Sequence, residues 1–145
     1  MKKITTFAFA LLITVVSFAK PSDSVKGEIN ATFKKNFRNA QLLGTETHKA
    51  FTKLTFKMND VIMFAFYNNS GELMAVTRNI TSSQLPMNLL LSLKNDYSAC
   101  WITELFEFTG DGISCYYVSL ESADARITLR SNGDTWEVYT NTRKQ

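Results

Sequence analysis

The sequence predicts an α+β fold of two tandem α-β-β-β-β units, which together form an antiparallel sheet with both helices on one face. Three observations support this. Apolar residues recur every fourth position in two segments 60 residues apart, which indicates two amphipathic helices. Each segment precedes four short runs of alternating apolar and polar residues, which indicates strands joined by tight turns. The same order of elements in both halves predicts an internal duplication.

The first 19 residues have the pattern of a secretory signal peptide. Met1–Lys3 is a charged start, the run from Ile4 to Phe18 is apolar, and the small residues Ser17 and Ala19 stand three and one positions before a cleavage point. The apolar run is shorter than the roughly 20 residues that a membrane span needs. We therefore expect cleavage after Ala19 and a mature protein that is periplasmic or secreted.

The charge balance argues against two classes of partner. The formal charge of +3 falls to +1 when Lys2 and Lys3 leave with the signal peptide, since no acidic residue is lost. A nearly neutral protein has no electrostatic basis for binding nucleic acid or an anionic membrane. We expect a monomer whose partner is another protein of the periplasm, with no nucleic acid and no membrane contact after cleavage.

Residues 20–80 are predicted to form the first unit. Asp23 or Ser24 can cap a helix. Asn59-Asp60 and the segment from Asn68 to Gly71 supply residues that favour tight turns. The predicted helix stripe is Val25, Ile29, Phe33 and Phe37, and the predicted strands are Ala40–Glu46, Phe51–Met58, Val61–Tyr67 and Glu72–Ile80.

Residues 81–145 are predicted to form the second unit. Thr81 with Gln84 can cap the helix, and Pro86 suits its first turn because the missing N–H costs nothing there. The segments Thr109–Gly112 and Asn132-Gly133 are typical of hairpin turns. The predicted helix stripe is Leu85, Leu89, Leu93 and Tyr97, and the predicted strands are Ala99–Phe108, Ile113–Leu120, Ala125–Ser131 and Thr135–Thr140.

The sheet face away from the helices is predicted to be too apolar for a fully solvated surface. Two arrangements remain open at this point: the two units pack these faces together, or the faces form a continuous sheet that meets a partner. The residues predicted on this face are Ile62, Phe64, Phe66, Leu73 and Ala75 in the first unit, and Ile102, Phe106, Phe108, Ile113, Tyr117 and Tyr139 in the second.

Aromatic side chains are the candidate binding residues, because aromatic anchors are over-represented at binding hot spots. The alternative is that they form a core between the units. The candidates for contact with a protein partner are Phe51, Phe64, Phe66, Phe106, Tyr117 and Tyr139, whereas Phe33, Phe37, Phe56, Trp101 and Trp136 are predicted to lie in the core.

The sequence offers no set of residues for catalysis, for a cofactor or for a metal. His48 is the single histidine of the chain and has no second ligand at a useful spacing. Glu104 and Glu107 are predicted to project from opposite faces of one strand, so they cannot work as a pair. No base accompanies a serine or cysteine nucleophile. We therefore expect a protein that is not an enzyme.

The two cysteines allow two interpretations. An exported protein favours a disulfide, and one between Cys100 and Cys115 would be worth about 3 kcal/mol. A turn that places Phe108 opposite Ile113 puts Cys115 opposite Phe106, and Cys100 then lies roughly 20 Å away. Since a disulfide needs Cα atoms within about 7 Å, the predicted register favours two free thiols.

Several short motifs together resemble the exported PepSY-like, or β-lactamase-inhibitor-protein-like, family of bacteria. The resemblance covers essentially the whole mature chain. It implies a tandem α-β₄ fold whose curved sheet offers an open face; in inhibitor proteins of this fold that face binds an enzyme, and PepSY domains are proposed to restrain proteases. The motifs are Asn36-Phe37, the series Phe64, Ala65, Phe66, Tyr67 and Gly71, then Arg78 with Ile80, Leu85-Pro86, Asp96-Tyr97 and Tyr116-Tyr117-Val118.

The sequence thus predicts a non-catalytic exported binding module, an inhibitor or regulator of a periplasmic enzyme, that holds a protein partner on the open face of its sheet. The alternative is a carrier of small molecules or lipids. A carrier needs a closed apolar cavity between helices and sheet, with a volume of several hundred Å³.

Overall fold

A computed structural model describes residues 23–144, so the predicted signal peptide lies outside the described residues. No helix in that range is long and apolar enough to cross a membrane. The elements are α1 (Asp23–Asn36), β1 (Gln41–Thr47), β2 (Phe51–Met58), β3 (Val61–Asn68), β4 (Leu73–Asn79), a 3₁₀ turn (Ser82–Gln84), α2 (Met87–Asp96), β5 (Trp101–Gly110), β6 (Ile113–Glu121), β7 (Ala125–Asn132) and β8 (Thr135–Arg143).

All eight strands belong to one antiparallel sheet, and their spatial order is their order along the chain. The two units join edge to edge, because β4 pairs with β5 through Ala75 with Gly110 and Thr77 with Phe108. The faces of the two units therefore lie side by side and do not pack together as an inter-unit core. The predicted fold class is confirmed.

The first helix covers the first half of the sheet. Its four-residue spacing places Ile29 and Phe33 on one side, where both are buried against β2 and β3. The Phe33 ring meets the edge of Phe56 with centroids 5.2 Å apart, and Phe37 lies 4.6 Å from the same ring. Their partners in this core are Leu54, Phe56, Ala65 and Tyr67.

The second helix repeats this packing over the second half. Leu85, which ends the 3₁₀ turn, and Leu93 of α2 are buried against β5, β6 and β7, and Leu89 of α2 is also buried. Pro86 stands just before the helix and not inside its first turn, because Thr81 and Gln84 cap the preceding 3₁₀ turn instead. The Thr81 N–H donates to Gln84 Oε1 at 2.9 Å. The sheet residues in this core are Leu105, Val118, Leu120 and Leu129.

A β-bulge at Thr103 corrects two sequence predictions. Register is lost between Ile102, which faces Leu120, and Glu104, which faces Ser119. One extra residue reverses the direction of every side chain beyond it. Ile102 therefore lies on the helix side, not on the open face as predicted. Trp101 lies on the open face and is 53% exposed, so its predicted place in the core is wrong.

A second bulge corrects Leu73. Phe66 pairs with Ala75 but Tyr67 pairs with Leu73, which leaves Met74 as the extra residue of β4. Leu73 consequently packs against the core beneath α1, whereas the alternation of the sequence places it on the open face.

The turn between β5 and β6 corrects the predicted pairing of Cys115. Asp111 and Gly112 both have positive φ, 52° and 72°, and form a two-residue turn that aligns Gly110 with Ile113. Cys115 therefore faces Phe108 and not Phe106. Both cysteines are free thiols; Cys100 packs with the helix-side core, and Cys115 lies on the opposite face of the sheet.

Candidate functional site

The open face is the side of the sheet opposite α1 and α2. Cross-strand pairing places each predicted aromatic candidate on it. Phe66 lies across from Lys53, Phe64 from Thr55, and Phe106 from Tyr117. The six candidates are all half-buried: Phe51, Phe64, Phe66, Phe106, Tyr117 and Tyr139.

Four rings of the second unit form the aromatic cluster, which consists of Phe106, Phe108, Tyr117 and Tyr139. Phe106 stacks on Tyr117 with centroids 5.2 Å apart and planes 12° from parallel. Phe108 meets Tyr117 edge-on at 6.0 Å, and Tyr139 does so at 5.5 Å. Tyr139 lies on the same face as Glu137, as alternation predicts, and is the extra residue of a bulge in β8. These contacts fix the orientation of the rings relative to one another.

The candidates of the first unit form a separate, looser group. The rings of Phe51 and Phe66 are 5.7 Å apart, and His48 stacks on Phe51 at 4.5 Å. The Lys53 ammonium lies 4.9 Å above the Phe64 ring and is held there by Glu46, whose Oε1 is 3.0 Å from Nζ. The structure thus brings the candidates together in two sets of three, not in one.

Small residues connect the two sets at the junction of β4 and β5. A Cβ on Gly110 would lie 3.0 Å from the Phe108 ring and 3.1 Å from Ala75, so that ring lies over the glycine. Ala75 and Cys115 are only 7% and 6% exposed although they belong to the open face. Aromatic rings covering small neighbours make this surface continuous across the junction.

Two aromatic residues of the open face, Phe108 and Trp101, were not among the predicted binding residues. Phe108 follows the same alternation as Phe106, so the sequence contained the signal. Trp101 reaches the open face only because of the bulge at Thr103, which alternation cannot locate. Lys144 Nζ lies 5.3 Å above the indole of Trp101.

The open-face cations differ in their pairing. Lys53 pairs with Glu46, Lys57 with Asp60 at 2.9 Å, and Arg126 with Glu121 at 3.6 Å. Arg130 stands directly across from Tyr117, yet no carboxylate of residues 23–144 lies within 4 Å of its guanidinium. Its Nε is buried without a hydrogen-bond partner in the same range.

Two groups beside Arg130, the Tyr117 hydroxyl and the Cys115 thiol, are neutral near neutral pH. Burial raises the pKa of the Tyr117 hydroxyl, and burial likewise raises the pKa of the Cys115 thiol. The Arg130 guanidinium opposes both shifts without reversing them. Arg130 therefore contributes a positive charge that neither of these neighbours balances.

The candidate catalytic side chains among residues 23–144 do not come together. His48 is exposed in a turn, with Nε2 3.9 Å from Glu46, and Glu104 and Glu107 lie on opposite sides of the sheet. Between residues 23 and 144, no three His, Cys, Asp or Glu side chains are grouped so that they could hold a metal ion. What the open face can do chemically is offer oriented aromatic rings and an unpaired cation to another molecule.

A groove of about 410 Å³ lies on the other side of the sheet, between the two helix-covered cores. It is half-open, and the ion pair between Arg78 and Glu107 lines it. It therefore differs from the closed apolar cavity that a carrier needs. The apolar side chains of its lining are Met58, Val61, Met63 and Val76.

No protein-family model and no curated protein matches this sequence. Solved structures with the same fold were found in Bacteroides. A BLIP-like protein from Bacteroides fragilis is 11% identical and superimposes with a TM-score of 0.69, covering 88% of this chain and 89% of that one. A DUF2874 family protein from Bacteroides uniformis is 13% identical, with a TM-score of 0.69 over 80% of this chain and 87% of that one.

A third structure, from Bacteroides eggerthii, is provisionally described as a periplasmic protein. It is 12% identical, with a TM-score of 0.68 over 80% of this chain and 86% of that one. Identities this low show a shared fold and nothing finer. The resemblance to the β-lactamase-inhibitor-protein-like fold is thereby confirmed at the level of the fold.

Proposed function

We propose that this chain is a non-catalytic exported module that acts in the periplasm as a monomer and binds a protein partner through the open face of its sheet. The observation that carries the proposal is the aromatic cluster. Four rings of one sheet face are oriented by mutual contacts, and none of them lies beneath a helix. Large aromatic groups exposed on a rigid sheet are typical of binding sites.

The class of partner follows from the fold and from the surface together. The sequence resembles the exported PepSY-like family, and a solved structure of this fold is described as BLIP-like. An eight-stranded sheet offers a broad surface, which suits a folded protein better than a small molecule. We therefore propose that the partner is a periplasmic enzyme and that binding inhibits or regulates it.

Capture of partners from the periplasm of the native host tests this proposal. The bait proteins are the wild type, a Phe64→Ala/Tyr117→Ala variant of the open face, and a Met87→Ala/Leu91→Ala control whose two sites are exposed on α2. We expect one protein to be enriched on the wild type and the control and lost from the open-face variant. Equal recovery on all three folded baits would refute the proposal.

A carrier function is the second candidate, and the groove beside Arg78 and Glu107 is the observation that favours it. The groove volume of about 410 Å³ suits a small ligand. Titration with a fluorescent fatty acid tests this function. Saturable binding that Met63→Glu abolishes would support a carrier, and the absence of saturable binding would exclude this class of ligand.

A further inference from the structure

We infer that Arg130 is the anchor for a carboxylate, so that the partner presents an aspartate or glutamate side chain flanked by apolar residues to the aromatic cluster. This inference rests on the proposed function and adds the chemistry of the contact. It starts from the guanidinium of Arg130, which lies beside Tyr117 of the aromatic cluster and has no counter-charge in the described part of the chain.

The guanidinium of Arg130 contacts the neutral side chains of Tyr117 and Cys115, but it lacks a carboxylate and its Nε lacks an acceptor, which is unfavourable in the free protein. A half-buried cation loses part of its hydration, and a buried donor without an acceptor costs about 1–3 kcal/mol. The other cations of the open face do not share this state, because Lys53, Lys57 and Arg126 each have a carboxylate within 4 Å. Local rules of this kind are broken mostly at functional sites.

The acidic residues nearest in the sheet are already engaged. Glu137 is the direct cross-strand neighbour of Arg130, but its Oε1 accepts a hydrogen bond from Asn132 Nδ2 at 2.5 Å. Glu121 Oε1 is held by Lys144 Nζ at 2.7 Å and by Arg126. In the described residues these two carboxylates are held by Asn132, Lys144 and Arg126, and neither forms an ion pair with Arg130. We infer that the missing counter-charge comes from another molecule.

The residues around Arg130 indicate which chemical groups the binding partner presents to it. A guanidinium binds a carboxylate through two parallel hydrogen bonds, and such pairs are stronger where rings exclude water. Tyr117, directly across from Arg130, provides an aromatic ring beside it, and Phe106 and Tyr139 contact that ring and extend the platform. Apolar residues on both sides of the acidic residue would pack on these rings.

A single acidic side chain fits this site better than a polyanion does. Arg130 is one cation, and the remaining open-face cations are neutralised by their own partners. Phosphate-rich ligands require several free cations to replace their counterions. We therefore assign the site to one acidic residue of a protein partner and not to a nucleic acid or a lipid surface.

Selection from a phage-displayed library of random heptapeptides tests the inference. The target is the protein produced with its signal sequence and purified after export. We expect the enriched peptides to carry an aspartate or glutamate next to aromatic or aliphatic residues. The most enriched sequence is then synthesised in two forms, one with the acidic residue and one with the corresponding amide.

Calorimetry with the two peptides measures the contribution of Arg130. We expect Arg130→Gln to weaken binding of the acidic peptide roughly 10- to 100-fold, as for loss of a hydrogen bond to a charged group. The amide peptide should bind both proteins alike, so the double-mutant cycle isolates the pair. Arg126→Gln is the matched control, since its charge is already paired, and should change the affinity less than about 2-fold.

The outcomes separate the inference from the proposed function. Equal binding of the acidic and amide peptides, or an acidic peptide that binds Arg130→Gln as tightly as wild type, would overturn the role of Arg130. If Phe106→Ala still abolishes peptide binding in that case, the open face remains a binding site. If no peptide is enriched, or if binding ignores both Phe106→Ala and Arg130→Gln, the inference and the proposed function both fail.

Discussion

The indole N–H of Trp136 donates a hydrogen bond to the backbone carbonyl oxygen of Leu89 at 2.9 Å. This bond ties the last strand of the sheet to the first turn of α2. β8 pairs with one neighbour only, so an edge strand without such a contact would be held by its ladder to β7 alone. Trp136 thereby positions the strand that carries Tyr139 into the aromatic cluster.

Trp136→Phe removes this hydrogen bond and keeps an aromatic ring. We expect the free energy of unfolding to fall by about 1–2 kcal/mol, because the bond is lost and the packing is reduced. Urea unfolding followed by circular dichroism measures the change. Trp101→Phe is the control; its exposed indole should contribute no more than about 0.5 kcal/mol. Equal effects at the two positions would contradict the role of the bond.

Gly110 has no room for a side chain. A Cβ there would lie 2.6 Å from the Met74 carbonyl oxygen, so Gly110→Ala should lower the free energy of unfolding by about 1–3 kcal/mol. Gly27→Ala is the matched control, since nothing lies within 4 Å of that site on α1. It should raise the stability by about 0.5–1 kcal/mol because alanine favours a helix. Thermal unfolding of both variants tests the contrast.

Tyr67 is fully buried, and its hydroxyl has no hydrogen-bond partner between residues 23 and 144. Burial raises its pKa from 10.0 to about 12, although the nearby Asn36 opposes the shift. The folded state thus favours the neutral hydroxyl. The resulting stability is fully present below pH 10.0 and is lost as the pH rises towards about 12.

Tyr67→Phe should therefore change the neutral-pH stability by no more than about 1 kcal/mol, since burial of the hydroxyl is unfavourable and its contact with Asn36 offsets only part of that effect. The variant should also lose stability less steeply than wild type between pH 10.0 and about 12. Urea titrations across this range give the comparison. Parallel pH curves for the two proteins would show that Tyr67 ionises normally.

The ionisation of Glu121 predicts a pH dependence of the stability in the acid range. Lys144 Nζ lies 2.7 Å from its Oε1 and Arg126 lies 3.6 Å away, and the hydrogen bond from Lys144 lowers the pKa of Glu121 below its ordinary 4.5. The stability that this ionised carboxylate contributes is present above pH 4.5 and is lost as the pH falls through the lowered pKa.

Glu121→Gln should consequently be less stable than wild type at neutral pH, and the two proteins should converge as the pH falls below 4.5. Unfolding free energies measured between neutral pH and acid follow the difference. If the difference in unfolding free energy between the two proteins stays constant from neutral pH to below pH 4.5, the carboxylate is not stabilised by Lys144 and Arg126.

Periodicity and turn chemistry were enough to predict the elements. The spacing of Ile29 with Phe33, and of Leu89 with Leu93, places each pair on one helix face, and all four side chains are buried. Asn59 and Asp60 form the predicted turn between β2 and β3, where both residues have positive φ. These signals are local, so a single sequence contains them.

Bulges were not predictable, because one extra residue leaves no mark in an alternating pattern. The bulge at Thr103 alone accounts for the misplaced Ile102 and for Trp101, which joins the open face instead of the core. The bulge at Met74 accounts for Leu73. Each error reverses the face of a side chain without changing the identity of the strand.

The absence of a carboxylate beside Arg130 was likewise not predictable from the sequence. Alternation predicted that Arg130 lies on the open face of β7. Whether it forms an ion pair depends on the side-chain conformation of Glu137, which accepts a hydrogen bond from Asn132 instead. Side-chain choices of this kind are decided by tertiary contacts. The candidate site could thus be predicted as a set of aromatic rings, whereas its charged centre required the structure.

Photocross-linking in the native host tests most directly which face meets the partner. A photoreactive phenylalanine analogue replaces Phe64 or Tyr117 on the open face, and Met87 or Leu91 on the exposed side of α2. We predict a covalent adduct with one periplasmic protein from the two open-face positions and none from the two helix positions. Adducts from the helix positions alone, or from no position, would contradict the account.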